Sequence, residues 1–198
     1  LGGIELRVDD WGIDAIYSGT QKCLSAPPGL SPVSFSDAAM ARIRLREDPP
    51  QSWFLDMNLL TGYWGPGAKR AYHHTAPVNA LYALNEALRI LQAEGLEDAW
   101  QRHADNHMKL RAGLEGMGLE FYVEADYRLP QLNAVKVPEG VDEAGVRTYL
   151  LNEFNLEIGA GLGPLAGKIW RIGLMGASST EKHVALCLDA MKAALEKV

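Results

Sequence analysis

Residues 13–29 read IDAIYSGTQKCLSAPPG, a short apolar run followed by a loop of small residues. The apolar run predicts a β-strand over residues 14–18. The Gly, Pro and Ser residues of 19–31 predict a loop that ends in a tight turn. Because α/β folds place their chemistry in loops at strand ends, this stretch makes Lys22 the first candidate for a functional residue.

Strands and helices alternate along the rest of the chain. Further short strands are predicted at 4–8, 32–36, 119–123, 132–137, 156–159 and 168–174, and helices at 37–46, 77–94, 96–114, 142–153 and 180–196. Residues 47–71 lack a period and predict a long ordered loop with several aromatic residues. Gly95 ends one of the helices, and the predicted domain boundary lies there, between residues 1–94 and residues 95–198.

Three of the predicted helices carry local signals. Asp37 is the expected N-cap of the helix 37–46. The helix that begins at Pro77 carries leucines three or four residues apart, at Leu81, Leu84, Leu88 and Leu91. The last helix is predicted to bury a stripe formed by Val184, Leu188, Met191 and Leu195.

Composition excludes several classes of protein. The 198 residues include 19 Lys and Arg against 25 Asp and Glu, a net charge of −6, which argues against a nucleic-acid-binding surface. No apolar run approaches the roughly 18 residues of a membrane span. The two cysteines, Cys23 and Cys187, are far apart, and the chain has no N-glycosylation acceptor and no signal segment. These features predict a cytoplasmic protein in which Cys23 fills space and Cys187 lies in the core.

Lys22 lies in its loop directly after the predicted strand. A lysine held beside apolar walls loses solvation, which favours the neutral amine, a usable nucleophile. Most lysines, however, are solvated surface residues. The pattern alone therefore leaves a catalytic and a surface role open.

Residues 72–77 (YHHTAP) precede the most strongly periodic helix. Proline is preferred in a first helical turn, so the helix is expected to start at Pro77. Its unpaired N–H groups, together with the hydroxyls of Tyr72 and Thr75, would suit a phosphate. The alternative is that Thr75 only caps the helix.

Arg171 lies within the strand predicted at 168–174. The alternation of side chains puts Trp170, Ile172 and Leu174 on one face and Arg171 on the other. A guanidinium there needs an acceptor, and a substrate carboxylate would satisfy its two-pronged donor geometry. An ion pair with a protein carboxylate is the alternative.

Two other signals fail. Five residues rather than four separate Gly161 from Gly167, and Ile169 replaces the Ser or Thr that a P-loop requires. His103 and His107 share a helical face, but the metalloprotease Glu and an obvious third ligand are missing, so zinc is not expected. Both histidines are predicted to be packed or surface side chains.

Taken together, the candidates resemble the class V aminotransferases of fold type I. The resemblance is carried by residues 18–22 (SGTQK), 26–29 (APPG), 72–77 (YHHTAP) and 171–174 (RIGL), whose order and separation match that family. It covers essentially the whole chain. Within the family the chain resembles members that transfer an amino group from alanine or serine to glyoxylate or pyruvate.

The resemblance implies pyridoxal 5′-phosphate as the cofactor. Lys22 resembles the lysine that forms the Schiff base with it, and Gln21 resembles a neighbour that helps hold its phosphate. Tyr72 and Thr75 resemble a pair that reaches the same phosphate from the other subunit of a homodimer. Arg171 resembles the arginine that grips the α-carboxylate of the substrate.

The resemblance also implies the architecture. Residues 1–94 are expected to end a large, mainly parallel α/β cofactor-binding domain, and residues 95–198 to form a smaller α+β domain. In the family, an aspartate that pairs with the pyridine nitrogen lies a few residues before the LGG found here at 1–3. The chain is therefore expected to be the C-terminal half of a longer enzyme, with the N-terminal half as a partner, and not to be competent alone.

Two alternatives remain open from the sequence. A lyase such as a desulfurase would keep the same cofactor. Cys23, however, is too close to Lys22 to resemble a mobile sulfur-accepting cysteine. The other alternative is a non-catalytic fragment whose only role is dimer contact.

Overall fold

The computed structural model describes residues 1–64, 67, 69 and 71–197. The chain divides into two compact units. The C-terminal unit consists of Leu1–Glu5, Gln21–Ser25 and Ala87–Val198, and the N-terminal unit of Leu6–Thr20 and Ala26–Glu86. The domain boundary at Gly95 stays a prediction.

Six helices and five strands lie in the described part of the chain. The helices are α1 (Asp37–Arg44), α2 (Met57–Trp64), α3 (Val78–Glu94), α4 (Leu96–Gly116), α5 (Glu143–Phe154) and α6 (Glu181–Lys197). The strands are β1 (Ala15–Tyr17), β2 (Val33–Phe35), β3 (Leu132–Lys136), β4 (Gly159–Ala160) and β5 (Ile169–Gly173). Single 3-10 turns occur at Trp53–Leu55, Ala125–Tyr127, Gly163–Leu165 and Gly176–Ser178. The predicted α/β class is confirmed.

The C-terminal unit is built on a three-stranded antiparallel sheet in the order β3-β5-β4. In its register Arg171 of β5 lies opposite Ala134 of β3 and opposite Gly159 of β4. The strands β1 and β2 pair antiparallel in the N-terminal unit. Among the described residues all of these pairings are antiparallel, so the mainly parallel sheet expected for the large domain is not represented in them.

The core of the C-terminal unit lies between one face of this sheet and helices α4, α5 and α6. Trp170 and Ile172 of β5 are buried in it, and the indole Nε1 of Trp170 donates to the Glu143 carbonyl at 3.2 Å. The predicted α6 stripe is confirmed, because two members are buried and two are partly buried against the same cluster. The core members are Leu110, Leu114, Leu119, Phe121, Val135, Val146, Leu150, Ile158, Trp170, Ile172, Leu174, Val184, Cys187, Ala190, Met191 and Ala194.

Two histidines of α4 are buried and hydrogen-bonded, as the packed alternative predicts. His103 Nδ1 lies 2.6 Å from the Ala99 carbonyl, and the Gly176 amide donates to His103 Nε2 at 2.9 Å. Only the neutral ring with its proton on Nδ1 satisfies both partners. His107 Nδ1 lies 2.7 Å from Asn133 Oδ1. Burial lowers the pKa of both imidazoles.

The N-terminal unit buries little apolar surface within the described chain. Helices α1, α2 and α3 contain no buried residue. The leucine pattern correctly predicts α3, but Leu81, which lies in this unit, is 44% exposed. Large exposed hydrophobic side chains in this unit are Trp11, Tyr17, Val33, Leu45, Trp53, Phe54, Leu55, Leu59, Trp64, Tyr72, Val78, Leu81 and Tyr82.

Several local predictions are wrong for identifiable reasons. Residues 4–8 do not form a strand, because a turn closed by the Trp11 amide on the Arg7 carbonyl follows immediately. Ser36, not Asp37, caps α1, since Ser36 Oγ accepts from the Ala39 amide at 3.1 Å. Residues 119–123 form only a single bridge to β3.

Two further segments differ from their predicted extent. The segment 47–71 contains a 3-10 turn and α2, where Asp56 Oδ1 accepts from the Asn58 amide at 2.9 Å and so satisfies a first-turn donor. Positions 65, 66, 68 and 70 of that predicted loop lie outside the described residues. The strand predicted at 156–159 is displaced to β4.

In the described part of the chain, no helix combines the length and hydrophobicity needed to cross a membrane.

The neutral His103 predicts a pH-dependent stability. Because burial beside Arg102 lowers its folded-state pKa below the usual 6.5, the unfolded chain takes up the proton first. The contribution is therefore fully present above about pH 6.5 and is lost as the pH falls below it. We expect His103→Gln to flatten the pH dependence of the free energy of unfolding between pH 7 and 5. The urea midpoint measured across this range checks it, and an unchanged slope would contradict it.

Candidate active site

The Lys22 loop forms a tight turn in the C-terminal unit. The Ser25 amide donates to the Lys22 carbonyl at 2.9 Å, and Ser25 takes a left-handed backbone conformation with φ of 59°. The side chains of Cys23 and Leu24 are buried and anchor the turn. Gln21 and Lys22 are exposed. The apolar surroundings that would favour a neutral Lys22 amine are therefore not found in the part of the chain that the structure describes, where Lys22 is a surface residue.

Arg171 lies in the central strand of the sheet and is half-buried. Its Nε donates to the Ala160 carbonyl at 2.7 Å, which fixes the plane of the guanidinium. A Cβ at Gly159 would lie 3.3 Å from Arg171 Nη2, so the glycine leaves room for the group. Within residues 1–64, 67, 69 and 71–197, no carboxylate forms an ion pair with it. The ion-pair alternative is thus not what these residues show.

Tyr72 and Thr75 are brought together in the N-terminal unit. Tyr72 Oη lies 2.5 Å from Thr75 Oγ1. The first bond of α3 runs from the Leu81 amide to the Pro77 carbonyl. Thr75 therefore precedes the helix by three residues and pairs with Tyr72 instead of capping it. The two hydroxyls form one polar pair on an exposed segment.

An aromatic cluster holds this segment in place. His73 is buried, and its ring stacks on Trp53 with centroids 4.0 Å apart and an interplanar angle of 6°. His73 Nδ1 is 2.9 Å from His74 Nδ1, and the His74 ring packs on Phe54 with centroids 4.9 Å apart. The aromatic residues of 47–71 therefore support the residues between Tyr72 and Thr75, a role that the sequence did not predict.

The predicted site residues fall into two sets. Gln21, Lys22 and Arg171 belong to the C-terminal unit, and Tyr72 and Thr75 belong to the N-terminal unit. Sequence reasoning missed Ser25, Gly159 and Gly176, which shape the C-terminal set. The glycines were visible in the sequence, but their partners are distant along the chain.

A comparison with known proteins identifies the family. The profile of the aminotransferase class-V family matches residues 1–181. The chain belongs to this family. Membership implies pyridoxal 5′-phosphate as the cofactor, and it confirms the resemblance seen in the sequence.

Individual members of the class V family are similar over the whole chain. The chain is 44% identical to the alanine–glyoxylate aminotransferase of Callithrix jacchus, covering 99% of this chain and 48% of that protein. It is 37% identical to the (S)-ureidoglycine–glyoxylate transaminase of Bacillus subtilis strain 168, covering 98% and 51%. The solved structure of alanine–glyoxylate aminotransferase from Nostoc sp. matches with a TM-score of 0.94 at 48% identity, covering 98% and 51%. The chain thus spans about half the length of the relatives it matches.

Proposed function

We propose that this chain supplies the C-terminal half of a pyridoxal-phosphate-dependent aminotransferase. The observation that carries the proposal is that one compact unit contains both an exposed primary amine, Lys22, and an arginine, Arg171, that has no carboxylate partner among the described residues. The amino donor is alanine or serine and the acceptor glyoxylate or pyruvate. Glyoxylate is part of the name of each of the three relatives above.

The residues of the chain fit the cofactor chemically. Pyridoxal phosphate presents an aldehyde and a phosphate, which need a primary amine and hydrogen-bond donors. Lys22 supplies the amine and Gln21 an amide, while the adjacent hydroxyls of Tyr72 and Thr75 supply donors for a phosphate. When bound, the group would accept the electron pair that is left on the substrate Cα when its hydrogen is removed as a proton.

Lys22 carries the proton chemistry. Its Nζ would hold the cofactor and, once free as an amine, would move the substrate's Cα proton, first as general base and then as general acid. The buried side chains of Cys23 and Leu24 anchor the turn directly after Lys22. The exposed Lys22 side chain could move between the cofactor and the Cα of the substrate.

Arg171 binds and orients the substrate. Its planar guanidinium matches a carboxylate through two parallel N–H donors. The bond from Nε to the Ala160 carbonyl and the pairing of β5 on both edges hold the group rigid. A fixed carboxylate orients the substrate so that the Cα hydrogen faces Lys22, which lowers the entropic part of the barrier.

Tyr72 and Thr75 complete the site across a homodimer interface in this proposal. Tyr72 is 76% exposed, so its hydroxyl is accessible to a second subunit. The partners of the chain are then a second copy and the N-terminal half of the enzyme, in the cytoplasm, with no nucleic acid and no membrane. The mildly acidic net charge of −6 supports the absence of a nucleic-acid partner.

The environment of Cys23 favours transamination over the desulfurase alternative. The Cys23 side chain is 6% exposed, and burial raises the pKa of its thiol. A sulfur acceptor must be a mobile, accessible thiolate. Cys23 therefore packs the turn beside Lys22 instead of carrying sulfur.

Covalent trapping tests the role of Lys22 in the enzyme assembled with its N-terminal half. Borohydride reduction in the presence of pyridoxal phosphate is expected to label the peptide that contains Lys22. Lys22→Ala should abolish the label and transamination but leave the urea midpoint nearly unchanged, because the side chain is exposed. Lys168→Ala, which removes another exposed lysine, is the control. Label on any other lysine would contradict the assignment.

Arg171→Lys tests carboxylate recognition. The variant keeps the charge but loses the two-pronged donor geometry. We expect KM to rise roughly 10-fold or more for every α-carboxylate substrate, since a charged hydrogen bond contributes about 1.5–3 kcal/mol, while cofactor affinity stays nearly unchanged. Steady-state kinetics with several donors checks this. A rise confined to one donor would instead assign Arg171 to side-chain recognition.

Mixing two defective variants tests the shared site. One variant carries Tyr72→Phe with Thr75→Ala and should bind the cofactor weakly. The other carries Lys22→Ala. If the hydroxyls act in the neighbouring subunit, each mixed dimer contains one intact site, and about one site per mixed dimer should regain activity at limiting cofactor. No recovery in mixed dimers that demonstrably form would place the hydroxyls in their own subunit.

A further inference from the structure

The backbone at Gly176 approaches the Lys22 turn so closely that no side chain fits. Gly176 is buried and adopts a φ of 55°. A Cβ at this position would lie 2.6 Å from the Cys23 carbonyl oxygen and would also collide with Ser25 Oγ. Any residue but glycine would therefore push the turn and the segment after β5 apart.

A hydrogen bond joins the same two segments. The Ala177 amide donates to Ser25 Oγ at 2.8 Å, across 152 positions of sequence. Ser25 reaches this bond from a left-handed conformation, which is unfavourable for a residue with a side chain. We call the contacts of Cys23 and Ser25 with Gly176 and Ala177 the turn junction.

Helix α4 holds the other side of the turn junction. Arg102 Nη1 donates to the Gly176 carbonyl at 2.9 Å and to the Ser179 carbonyl at 2.8 Å. The remaining guanidinium nitrogens, Nε and Nη2, pair with the Glu94 carboxylate. Asn106 Nδ2 also donates to the Ser179 carbonyl, at 2.9 Å. Helix α4 thus holds the segment 176–179 on the side opposite the Lys22 turn.

The same segment follows β5 directly. Gly176 comes three residues after the end of β5, and Arg171 lies in the middle of that strand. A short, hydrogen-bonded path therefore runs from the Lys22 turn through Ser25 and Ala177 to the strand that carries Arg171. All of it lies inside the C-terminal unit.

We propose that Ser25 and Gly176 are positioning residues for Lys22: the turn junction fixes the backbone from which the Lys22 amine extends relative to the strand that carries Arg171. This rests on the proposed function, in which Arg171 holds the substrate carboxylate and Lys22 moves the Cα proton. If the turn junction loosens, Arg171 still binds substrate, but the amine is displaced from the proton that it must take. Because a displacement of roughly 1 Å can reduce a rate about 100-fold, kcat should fall while KM changes little.

Three variants of the enzyme assembled with its N-terminal half and pyridoxal phosphate test the proposal. Ser25→Gly removes the hydroxyl but tolerates the left-handed backbone, so it deletes the bond without adding strain. Gly176→Ala forces the two segments apart. Ser178→Ala is the matched control, because among the described residues its hydroxyl bonds within its own turn, to the Met175 carbonyl at 2.7 Å. Each is assayed for kcat, for KM of the amino donor, and for amide hydrogen exchange without cofactor.

We expect a selective loss of kcat. Ser25→Gly should lower kcat roughly 10-fold or more, with KM for the donor changed by less than about 3-fold, and Gly176→Ala should lower it further. Exchange at the Ala177 amide should accelerate in Ser25→Gly, whereas Ser178→Ala should keep wild-type kcat and Ala177 exchange. The absorbance of the cofactor bound to Lys22 is also titrated with pH. The midpoint of this titration should shift in Ser25→Gly and should not shift in Ser178→Ala.

Other outcomes overturn it. Faster exchange at Ala177 with unchanged kcat and an unchanged absorbance titration would make the turn junction purely structural. Unchanged exchange at Ala177 would show that the bond is absent. Equal losses of kcat in Ser25→Gly and Ser178→Ala would show a general defect. Wild-type enzyme that transaminates with its cofactor on another lysine, or does not transaminate, would overturn the proposed function itself and this proposal with it.

Discussion

The close approach of the Gly176 backbone to the Cys23 carbonyl is the constraint on which the C-terminal unit depends. It brings a turn near the start of the chain against the segment that follows the central strand, with no space for a side chain between them. Arg102 and His103 hold that segment from the other side, one through two carbonyls and the other through an amide. Residues far apart in sequence therefore share one rigid frame.

The sheet supplies the second part of that frame. The strand β5 is paired on both edges, so the backbone of Arg171 cannot shift without breaking two ladders. One face of the strand is buried by Trp170 and Ile172, while Arg171 projects from the other. The C-terminal unit thus combines an Arg171 guanidinium held by a backbone carbonyl with an exposed Lys22 side chain on an anchored turn.

The sequence predicted features that depend on local pattern. The alternation around Arg171 and the stripe of α6 both specify a buried face, and both are confirmed. Features that depend on distant partners were not predictable. Nothing near Leu81 shows that its face is exposed in this unit, and nothing near Ser25 indicates a bond to residue 177, because each depends on which segment packs nearby.

We propose that Lys22 and Arg171 form two ends of one substrate site. A crystal structure of the enzyme assembled with its N-terminal half, with pyridoxal phosphate and a substrate-like carboxylate that lacks an amino group bound, is the sharpest test. We expect density that is continuous from Lys22 Nζ to the cofactor, and the carboxylate of the ligand bound to the guanidinium of Arg171. A cofactor joined to a different lysine, or Arg171 paired with a protein carboxylate while the ligand lies elsewhere, would contradict it.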